Sequence, residues 1–177
     1  GSTNIDTYDP VARRFITTDQ MYLNSTDTLL YFAKEIRAAG LKPVAAVWNI
    51  SYLRQVVAFH EMGLLDDPVF IGFVLTGDQI LAGHPGTPEG LDAFLGVMPK
   101  NMTAVWSVIN YGGSLLGLAD KIIAGGGHIA VGLGDHPYTE LGSPTNGELI
   151  SKFADIARKH GRGVAAPDEA RKILHMR

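Results

Sequence analysis

The chain has 177 residues, 46% of them hydrophobic, and a formal charge of -3, so it can bury one sizeable core and is too apolar to be disordered. Its 15 basic and 18 acidic residues leave no positive excess for nucleic acid, and the absence of cysteine excludes disulfides, thiolate metal sites and a cysteine nucleophile. No apolar stretch approaches the roughly 20 residues of a membrane helix and no signal sequence opens the chain, so we expect a cytoplasmic protein.

Helix and strand patterns alternate from about residue 25 onward. Apolar residues three and four apart predict a first helix over Ser25 to Ala39, capped by Asn24 or Ser25. The unbroken apolar run within Lys42 to Trp48 predicts a strand buried on both faces, which is typical of a parallel sheet. Ser51 is the predicted cap of a second helix.

Three further apolar runs predict strands at Val69 to Leu75, Met102 to Ile109 and His128 to Leu133. The four strands begin at steps of 27, 33 and 26 residues, close to the roughly 30 residues of one βα unit. Two architectures fit repeated βα units: a doubly wound open sheet, or part of a (β/α)₈ barrel, which typically needs about 250 residues. About four and a half such units correspond to half a barrel.

The later helices carry their own start signals. Thr87-Pro88-Glu89 supplies a cap, a proline at the first helical position and an acidic first turn. Ser114 to Ala124 is predicted as a leucine- and isoleucine-rich helix. Thr145 and Glu148 form a capping box, and a last short helix is predicted to start at Pro167.

In either architecture ligands bind at the carboxyl ends of the parallel strands, so functional side chains are expected directly after the strands. The polar candidates there are Asn49, Ser51, Tyr52, Thr76, Asp78, Gln79, His84, Asn110, Tyr111, Ser114, Asp135, His136, Tyr138 and Thr139. Trp48 and Trp106 also lie at strand ends, where core packing is the favoured interpretation.

The run Val131 to Tyr138 is the richest in chemistry, because a carboxylate and an imidazole follow a glycine-bearing strand end. Asp135 could serve as a general base, a ligand or the orienter of a base. Alternatively, Asp135 caps a turn and His136 is a surface imidazole. Two glycines without a third do not make a dinucleotide fingerprint.

The twelve-residue loop from Thr76 to Thr87 contains His84 and is long enough to be an active-site lid. A solvated turn is the alternative interpretation.

Motifs spread over the whole chain resemble one family. They are Gly1-Ser2-Thr3-Asn4, Pro68 to Leu75 with Thr87-Pro88-Glu89, Trp106-Ser107-Val108, Gly126-Gly127-His128-Ile129, Val131-Gly132-Leu133-x-Asp135 and Gly161-Arg162-x-Val164-Ala165-x-Pro167-x-Glu169-Ala170. Together they resemble the β-keto acid cleavage enzyme family, whose founding activity cleaves 3-keto-5-aminohexanoate. The resemblance implies an α/β fold, the C-terminal half of a TIM (β/α)₈ barrel, as one domain over residues 1–177 that begins at the end of the fourth strand.

The resemblance also implies a chemistry. Family members bind a divalent metal, usually zinc, through a His-x-His pair in the first half of the barrel and the Glu of an Arg-Val-Gly-Leu-Glu-Asp motif. They convert a β-keto acid and acetyl-CoA into acetoacetate and a new CoA thioester. Ser2, Asn4 and Asn110 are then the candidate substrate contacts, Ser2 and Asn4 because they match a pocket-lining strand end of the family.

This chain departs from the family at charged positions. Asp135 matches the Asp of the motif and is the expected catalytic residue, but Ala130 replaces its Arg and Gly134 its metal-binding Glu. Where the family commonly has Glu-Val-Phe-Asp, this chain has Ala46-Val47-Trp48-Asn49. Any ion held by this chain is therefore expected to use His136, Asp135 or His84.

Two functions follow as hypotheses. The first is a β-keto acid cleavage enzyme that acts on a β-keto acid and acyl-CoA when the N-terminal half-barrel or another copy completes it. The second is a noncatalytic barrel fragment or assembly subunit that has lost the metal chemistry.

Overall fold

A computed structural model of the chain describes residues 1–176, and it begins with two small antiparallel strand pairs. Strand β1 (Thr3–Asn4) pairs with β4 (Met21–Tyr22), and β2 (Tyr8–Asp9) pairs with β3 (Arg14–Phe15). These short pairs carry too few residues for a period-2 pattern, which is why the sequence showed no strand before residue 25.

A parallel sheet with interleaved helices follows. In chain order the elements are α1 (Thr26–Ala38), β5 (Val44–Val47), α2 (Ile50–Glu61), β6 (Val69–Thr76), β7 (His84–Pro85), α3 (Pro88–Val97), β8 (Ala104–Tyr111), α4 (Ala119–Ala124), β9 (His128–Ile129), a 3₁₀ turn (Thr139–Leu141), α5 (Asn146–Lys159) and α6 (Pro167–Ile173). Along residues 1–176, no helix combines the length and apolar character that crossing a membrane requires.

The strand order distinguishes the two architectures that the sequence allowed. The sheet runs β5, β6, β8, β9, and every neighbouring pair is parallel. The two-residue strand β7 pairs only with the last two residues of β6, also in parallel. Over the described residues the order never reverses, whereas a doubly wound sheet reverses at its switch point. The prediction of an α/β fold with parallel βα repeats is confirmed, and the order is that of half a barrel wall.

One face of the sheet carries the core. In β6, Ile71, Phe73 and Leu75 are fully buried against the helices, and the ring of Phe73 stacks on Phe94 of α3 with centroids 4.8 Å apart. Burying one such side chain contributes about 1.5–3 kcal/mol. The opposite face is covered less evenly: Val74 of β6 is 7% exposed, whereas Val44 of β5 remains 56% exposed. The bare face is the one that lines the interior of a closed barrel.

The cap of α2 differs from the prediction. Asn49, not Ser51, is the N-cap: its side-chain oxygen accepts a hydrogen bond from the Tyr52 backbone amide at 3.2 Å. The Ser51 hydroxyl instead donates to the same Asn49 oxygen at 2.6 Å. Asparagine and serine are equally good N-cap residues. The position of Asn49 directly before the helix therefore determines which of them caps α2.

Two predicted elements are shorter than expected because tertiary contacts compete for their backbone groups. Helix α4 covers only the second half of Ser114 to Ala124, since Asn110 donates to the Ser114 carbonyl and the Leu115 amide donates to the Tyr138 hydroxyl. Strand β9 ends at Ile129: the Ala130 amide still donates to the Val108 carbonyl, but the Leu133 amide donates to the side-chain oxygen of Asn146. The start signals at Thr87, Thr145 and Pro167 are confirmed.

Two glycines near β9 provide a matched pair of substitutions. At Gly127 a Cβ would overlap the ring of Trp106, which is only 7% exposed, whereas at Gly134 a Cβ would meet nothing within 4 Å. Neither glycine has a positive φ, so the two sites differ in space alone. We expect Gly127→Ala to lower the free energy of unfolding by about 1–3 kcal/mol through overpacking.

The control, Gly134→Ala, should leave stability unchanged or raise it slightly, because alanine reduces the entropy of the unfolded chain. Urea unfolding of both variants checks the prediction. Equal stabilities of the two variants would contradict it, because they would show that the Trp106 ring moves aside without an energetic cost.

Candidate functional site

The carboxyl ends of the parallel strands are linked to one another by backbone hydrogen bonds. The Gly77 amide donates to the Tyr111 carbonyl at 2.9 Å, and the Gly112 amide donates to the Asp135 carbonyl at 2.8 Å. Gly112 has a φ of 77°, a conformation that glycine adopts without steric cost. The loops after β6, β8 and β9 therefore form one continuous edge that includes Asp135.

A cavity of about 500 Å³ lies at this edge, on the sheet face that the helices leave bare. Its floor is apolar and comes from three neighbouring strands: Ala46 of β5, Val74 of β6 and Ile109 of β8. Asp135 forms part of its wall. A cavity of this size with few polar groups is typical of small-molecule sites.

Three aromatic side chains, which we call the aromatic wall, line the same cavity: Tyr22, Trp48 and Tyr111. The ring centroids of Tyr22 and Trp48 are 5.7 Å apart, and those of Trp48 and Tyr111 are 6.2 Å apart, so the rings contact one another in a row. Tyr22 and Tyr111 remain 40% and 42% exposed. The wall therefore offers aromatic surface to a ligand.

The N-terminal segment reaches this cavity through the loop after β6. Thr7 forms an antiparallel bridge with Ile80, and the Tyr8 amide donates to the Gln79 carbonyl at 2.8 Å. These contacts place Thr7 and Gln20 on the cavity lining.

A buried carboxylate, Asp6, holds the N-terminal segment together. Asp6 is 4% exposed and accepts a hydrogen bond from the Gln20 amide at 2.9 Å. It also accepts from the Asn4 side chain, whose oxygen in turn accepts from the Asp6 amide at 2.7 Å. Hydrogen bonding, from the Gln20 amide above all, lowers the pKa of Asp6.

The predicted substrate contacts at the N-terminus make hydrogen bonds within this segment. Asn4 is engaged with Asp6, and the Ser2 hydroxyl oxygen accepts from the Asn24 amide at 3.0 Å. The cavity is lined instead by the neighbouring Ile5 and Thr7.

The structure separates the roles of Asp135 and its neighbour. Asp135 is half-buried and lines the cavity, whereas His136 pairs through Nε2 with Glu140 at 3.3 Å and packs edge-on against Tyr138. Tyr138 is buried in a left-handed conformation with a φ of 51°, and its hydroxyl accepts from the Leu115 amide. Tyr138 thus fixes the path of the loop that carries Asp135.

Asn110, the third predicted substrate contact, lies beneath the loops. It is 4% exposed and donates to the Ser114 carbonyl at 3.0 Å. Its side-chain oxygen is buried and, among residues 1–176, finds no hydrogen-bond partner. A Cβ at Gly86 or Gly113 would overlap the Asn110 amide, so both glycines allow close approach.

The twelve-residue loop after β6 is held at two points. His84 pairs in parallel with Leu75, and Ile80 bridges to Thr7. The imidazole of His84 contacts the ring of Phe94 at a centroid distance of 4.5 Å, and burial lowers its pKa. His84 therefore packs toward helix α3 and not among the residues of the cavity lining.

The described residues do not fit the metal site that the resemblance implies. Nowhere in residues 1–176 do three or more His, Asp or Glu side chains come close enough to share an ion. Gly134, which the resemblance matches to the family's Glu ligand, has no side chain that could coordinate an ion. A complete zinc site would thus need donors from outside this chain.

Sequence reasoning missed most of the cavity's rim. Thr7, Gln20 and Tyr22 precede the first periodic segment and gave no signal. Trp48 was predicted as core, and it does pack partly against the core while also facing the cavity. The sequence held one usable signal. Ala46 lies in β5 and Trp48 directly follows it, and side chains two residues apart along a strand share a face.

Comparison with known proteins gives a matching family. The family model for beta-keto acid cleavage enzymes matches residues 1–176. Among curated relatives, the chain is 31% identical to the 3-keto-5-aminohexanoate cleavage enzyme of Acetoanaerobium sticklandii, over 88% of this chain and 56% of the relative.

Two further relatives have other names. The chain is 27% identical to the 3-dehydrocarnitine:acetyl-CoA trimethylamine transferase of Rhizobium meliloti, over 97% of this chain and 56% of the relative. It is 28% identical to the 3-oxoadipate:acetyl-CoA acetyltransferase of Cupriavidus necator, over 88% of this chain and 55% of the relative. The chain spans about half the length of the curated relatives it matches.

Asp6 should stabilise the fold in a pH-dependent manner. Because its pKa is lower in the folded protein, the stabilisation is fully present above its ordinary pKa of 3.8 and is lost as the pH falls through the folded value. We expect Asp6→Asn to lower the free energy of unfolding at pH 7, and the difference from wild type to shrink below pH 3.8.

Urea unfolding of both proteins between pH 7 and pH 3 measures this difference. Asp78→Asn, an exposed carboxylate of the loop after β6, is the matched control and should show no such trend. A difference that stays constant with pH would contradict the ionic role of Asp6.

The scarcity of donors predicts weak zinc binding by this chain alone. Calorimetric titration with zinc should show no tight one-to-one binding, because Asp135 and His136 supply two donors at most and His136 also pairs with Glu140. Tight stoichiometric binding that survives both Asp135→Asn and His136→Ala would place the metal elsewhere.

Proposed function

The chain belongs to the β-keto acid cleavage enzyme family, and we propose that it supplies one half of a barrel enzyme that condenses a β-keto acid with acetyl-CoA. The products would be acetoacetate and a new CoA thioester. The relatives' names support acetyl-CoA as co-substrate, since two of them include it. The single structural observation that carries the proposal is the cavity at the strand ends with Asp135 on its wall.

Asp135 is the proposed general base or the group that orients one. Its carboxylate would take a proton from C2 of the β-keto acid, and the resulting carbanion would attack the thioester carbonyl of acetyl-CoA. This attack would displace the CoA thiolate, which would add to the C3 carbonyl of the keto acid. Cleavage of the C2–C3 bond would then leave the remaining acyl group on CoA and release acetoacetate, whose carbanion takes back the proton. The link between the Asp135 carbonyl and the Gly112 amide supports this role, because it fixes the backbone that presents the carboxylate. No step is assigned to a metal, since the described donors do not form its site.

The rest of the barrel is proposed to come from an N-terminal half-barrel or a second copy of the chain. The bare sheet face, with Val44 at 56% exposure, and the unpaired outer edges of β5 and β9 support this assembly. Open edges and apolar faces of this kind associate when they are uncovered. Such a partner could also supply the metal donors that this chain does not provide.

A noncatalytic assembly subunit is the second candidate function. The observation that favours it is Gly134, because the position of the family's Glu ligand lies in open space without a side chain. Ala130 at the position of the motif's Arg points the same way.

Turnover measured with Asp135→Asn tests the proposal. The chain is combined with an N-terminal half-barrel of the family, and release of acetoacetate from a β-keto acid and acetyl-CoA is followed. We expect wild type to turn over and Asp135→Asn to lose at least about a hundredfold in kcat, because general acid-base assistance is typically worth about 10² to 10⁴ in rate. Thermal unfolding should be unchanged, since asparagine keeps the shape of the side chain.

Asp78→Asn again serves as the control and should retain full turnover, because its carboxylate lies outside the cavity lining. No turnover by the wild-type assembly would favour the noncatalytic function. Turnover that is equal in wild type and Asp135→Asn would exclude Asp135 as the base.

A further inference from the structure

A groove runs along the outer edge of β5, on the side away from β6. Its cavity of about 240 Å³ is bounded by residues 43–46 of this edge and by one face of α1. The apolar residues of that face recur at three- and four-residue spacings: Leu29, Phe32, Ala33 and Ile36. Phe32 nevertheless remains 50% exposed. The apolar face of α1 therefore borders a gap beside β5, which we call the β5 groove.

A second groove runs along the opposite edge of the sheet, beside β9. Its cavity of about 580 Å³ is bounded by residues 127–131 and by one face of α5. The apolar residues of this face show the same spacing: Ile150, Phe153, Ala154 and Ala157. Ile150 is 55% exposed. We call this gap the β9 groove, and its construction repeats that of the β5 groove.

Each groove combines two incomplete surfaces. Within residues 1–176, no strand pairs with the outer edge of β5 or of β9, so backbone amides and carbonyls are available there. A helix with an exposed apolar residue stands over the place that the next strand of the sheet would take. An added strand would pair with the edge and bury the helix face in one step.

Two polar atoms of the β5 groove also lack partners. Among the described residues, neither the Tyr52 hydroxyl nor the side-chain oxygen of Gln55 makes a hydrogen bond, although both atoms are buried. Tyr52 is only 5% exposed. Buried polar atoms normally have a hydrogen-bond partner, and the backbone or side chains of an added strand can provide one. This observation is independent of the apolar surfaces and points to the same place.

The helices of this chain outnumber the sheet strands that they cover. Helices α2, α3 and α4 each connect one strand of the series β5, β6, β8 and β9 to the next, while α1 and α5 stand at the two outer edges. A (β/α)₈ barrel has one helix for each of its eight strands. The part that completes the barrel must therefore supply four strands and only three helices, so that it begins and ends with a strand.

A second copy of the chain does not meet this requirement. A two-fold axis along the barrel would place β9 of one copy beside β5 of the other. That junction would then have to hold α5 of the first copy and α1 of the second, because each helix stands over the strand position next to its own edge. Packed helix axes lie about 8–10 Å apart, so two helices cannot share one position in the outer ring.

We propose that the two grooves bind the two outer strands of an N-terminal half-barrel that has four strands and three helices, and that a second copy of this chain is not the partner. The proposal rests on the proposed function for the closed barrel and on the grooves for the choice of partner. Right-handed crossovers keep the strand order running one way around the barrel, so the partner's first strand lies beside β9 and its last beside β5. This chain covers only 56% of the Acetoanaerobium sticklandii relative, which leaves enough chain in that protein for such a half.

Co-expression with the N-terminal part of that relative, up to the region that this chain matches, tests the choice of partner. We expect a one-to-one complex in analytical ultracentrifugation, and no discrete dimer of the chain alone. Hydrogen exchange should slow at least about tenfold at the outward-facing amides of β5 and of residues 128–131 when the complex forms. Exchange in β6 should stay the same, because both of its edges are already paired within the chain.

Substitutions in the two grooves test where the partner binds. Phe32→Glu and Ile150→Glu should each weaken the complex at least about tenfold, because an inserted strand would bury the new carboxylate. Phe32→Leu should retain most of the affinity. The controls are Tyr31→Glu and Ser151→Glu, exposed neighbours on the same helices that do not line the grooves, and they should change the affinity less than about twofold.

Sedimentation of a dilution series gives the affinities, and circular dichroism of each variant chain alone checks its fold. The proposal is overturned by a discrete dimer of the chain alone with slowed exchange at both edges, or by failure of the co-expressed chains to associate. It is equally overturned by unchanged exchange at the edges in the complex, or by groove substitutions that weaken the complex no more than the controls do.

These outcomes are distinct from failure of the proposed function. A one-to-one complex without turnover would overturn the reaction and leave the assembly in place. Turnover by a dimer of the chain alone would support the reaction and overturn the choice of partner.

Discussion

One-sided burial of the parallel sheet is the constraint on which the rest of the molecule depends. Each crossover returns the chain to the strand beside the one it left, so the helices collect on one face, where Ile71, Phe73 and Leu75 are fully buried. On the other face, in the part of the chain that the structure describes, the carboxyl ends of three strands surround a cavity whose floor includes Val74. The cavity exists because the helices bury mainly one side of the sheet.

The polar end of the sheet is organised by the backbone more than by side chains. The Gly77 and Gly112 amides link three loops, and the bridge between Thr7 and Ile80 attaches the N-terminal segment to the same edge. Asp6 in turn keeps that segment folded. Fixed backbone of this kind holds Asp135 and the aromatic wall in the lining of one cavity without requiring either to be fully buried, as a site open to ligand needs.

The sequence predicted the elements whose signals are local and repeated. Unbroken apolar runs gave the strands, and the caps at Thr87 and Thr145 gave helix starts within a residue, because these patterns follow from burial and from unpaired amides. Prediction failed where contacts between residues distant in the sequence determine the local structure. The first turn of the expected helix at Ser114 is replaced by bonds to Asn110 and Tyr138, and the placement of Tyr22 depends on pairings of two residues each. Neither kind of contact leaves a periodic pattern in the sequence from which it could be predicted.

By the resemblance, this chain lacks charged side chains of the family pattern, and its fold accommodates the residues that are present instead. Asn49 stands where the family commonly has Asp, and it still caps α2, so the helix does not require the carboxylate. Gly134 has room for a side chain and an ordinary φ, so nothing in the backbone demands glycine in place of the family's Glu. Ala46, in place of another Glu, lies on an apolar floor. Of these three positions only Ala46 lines the cavity, so Asp135 supplies the one carboxylate in the cavity lining that the structure describes.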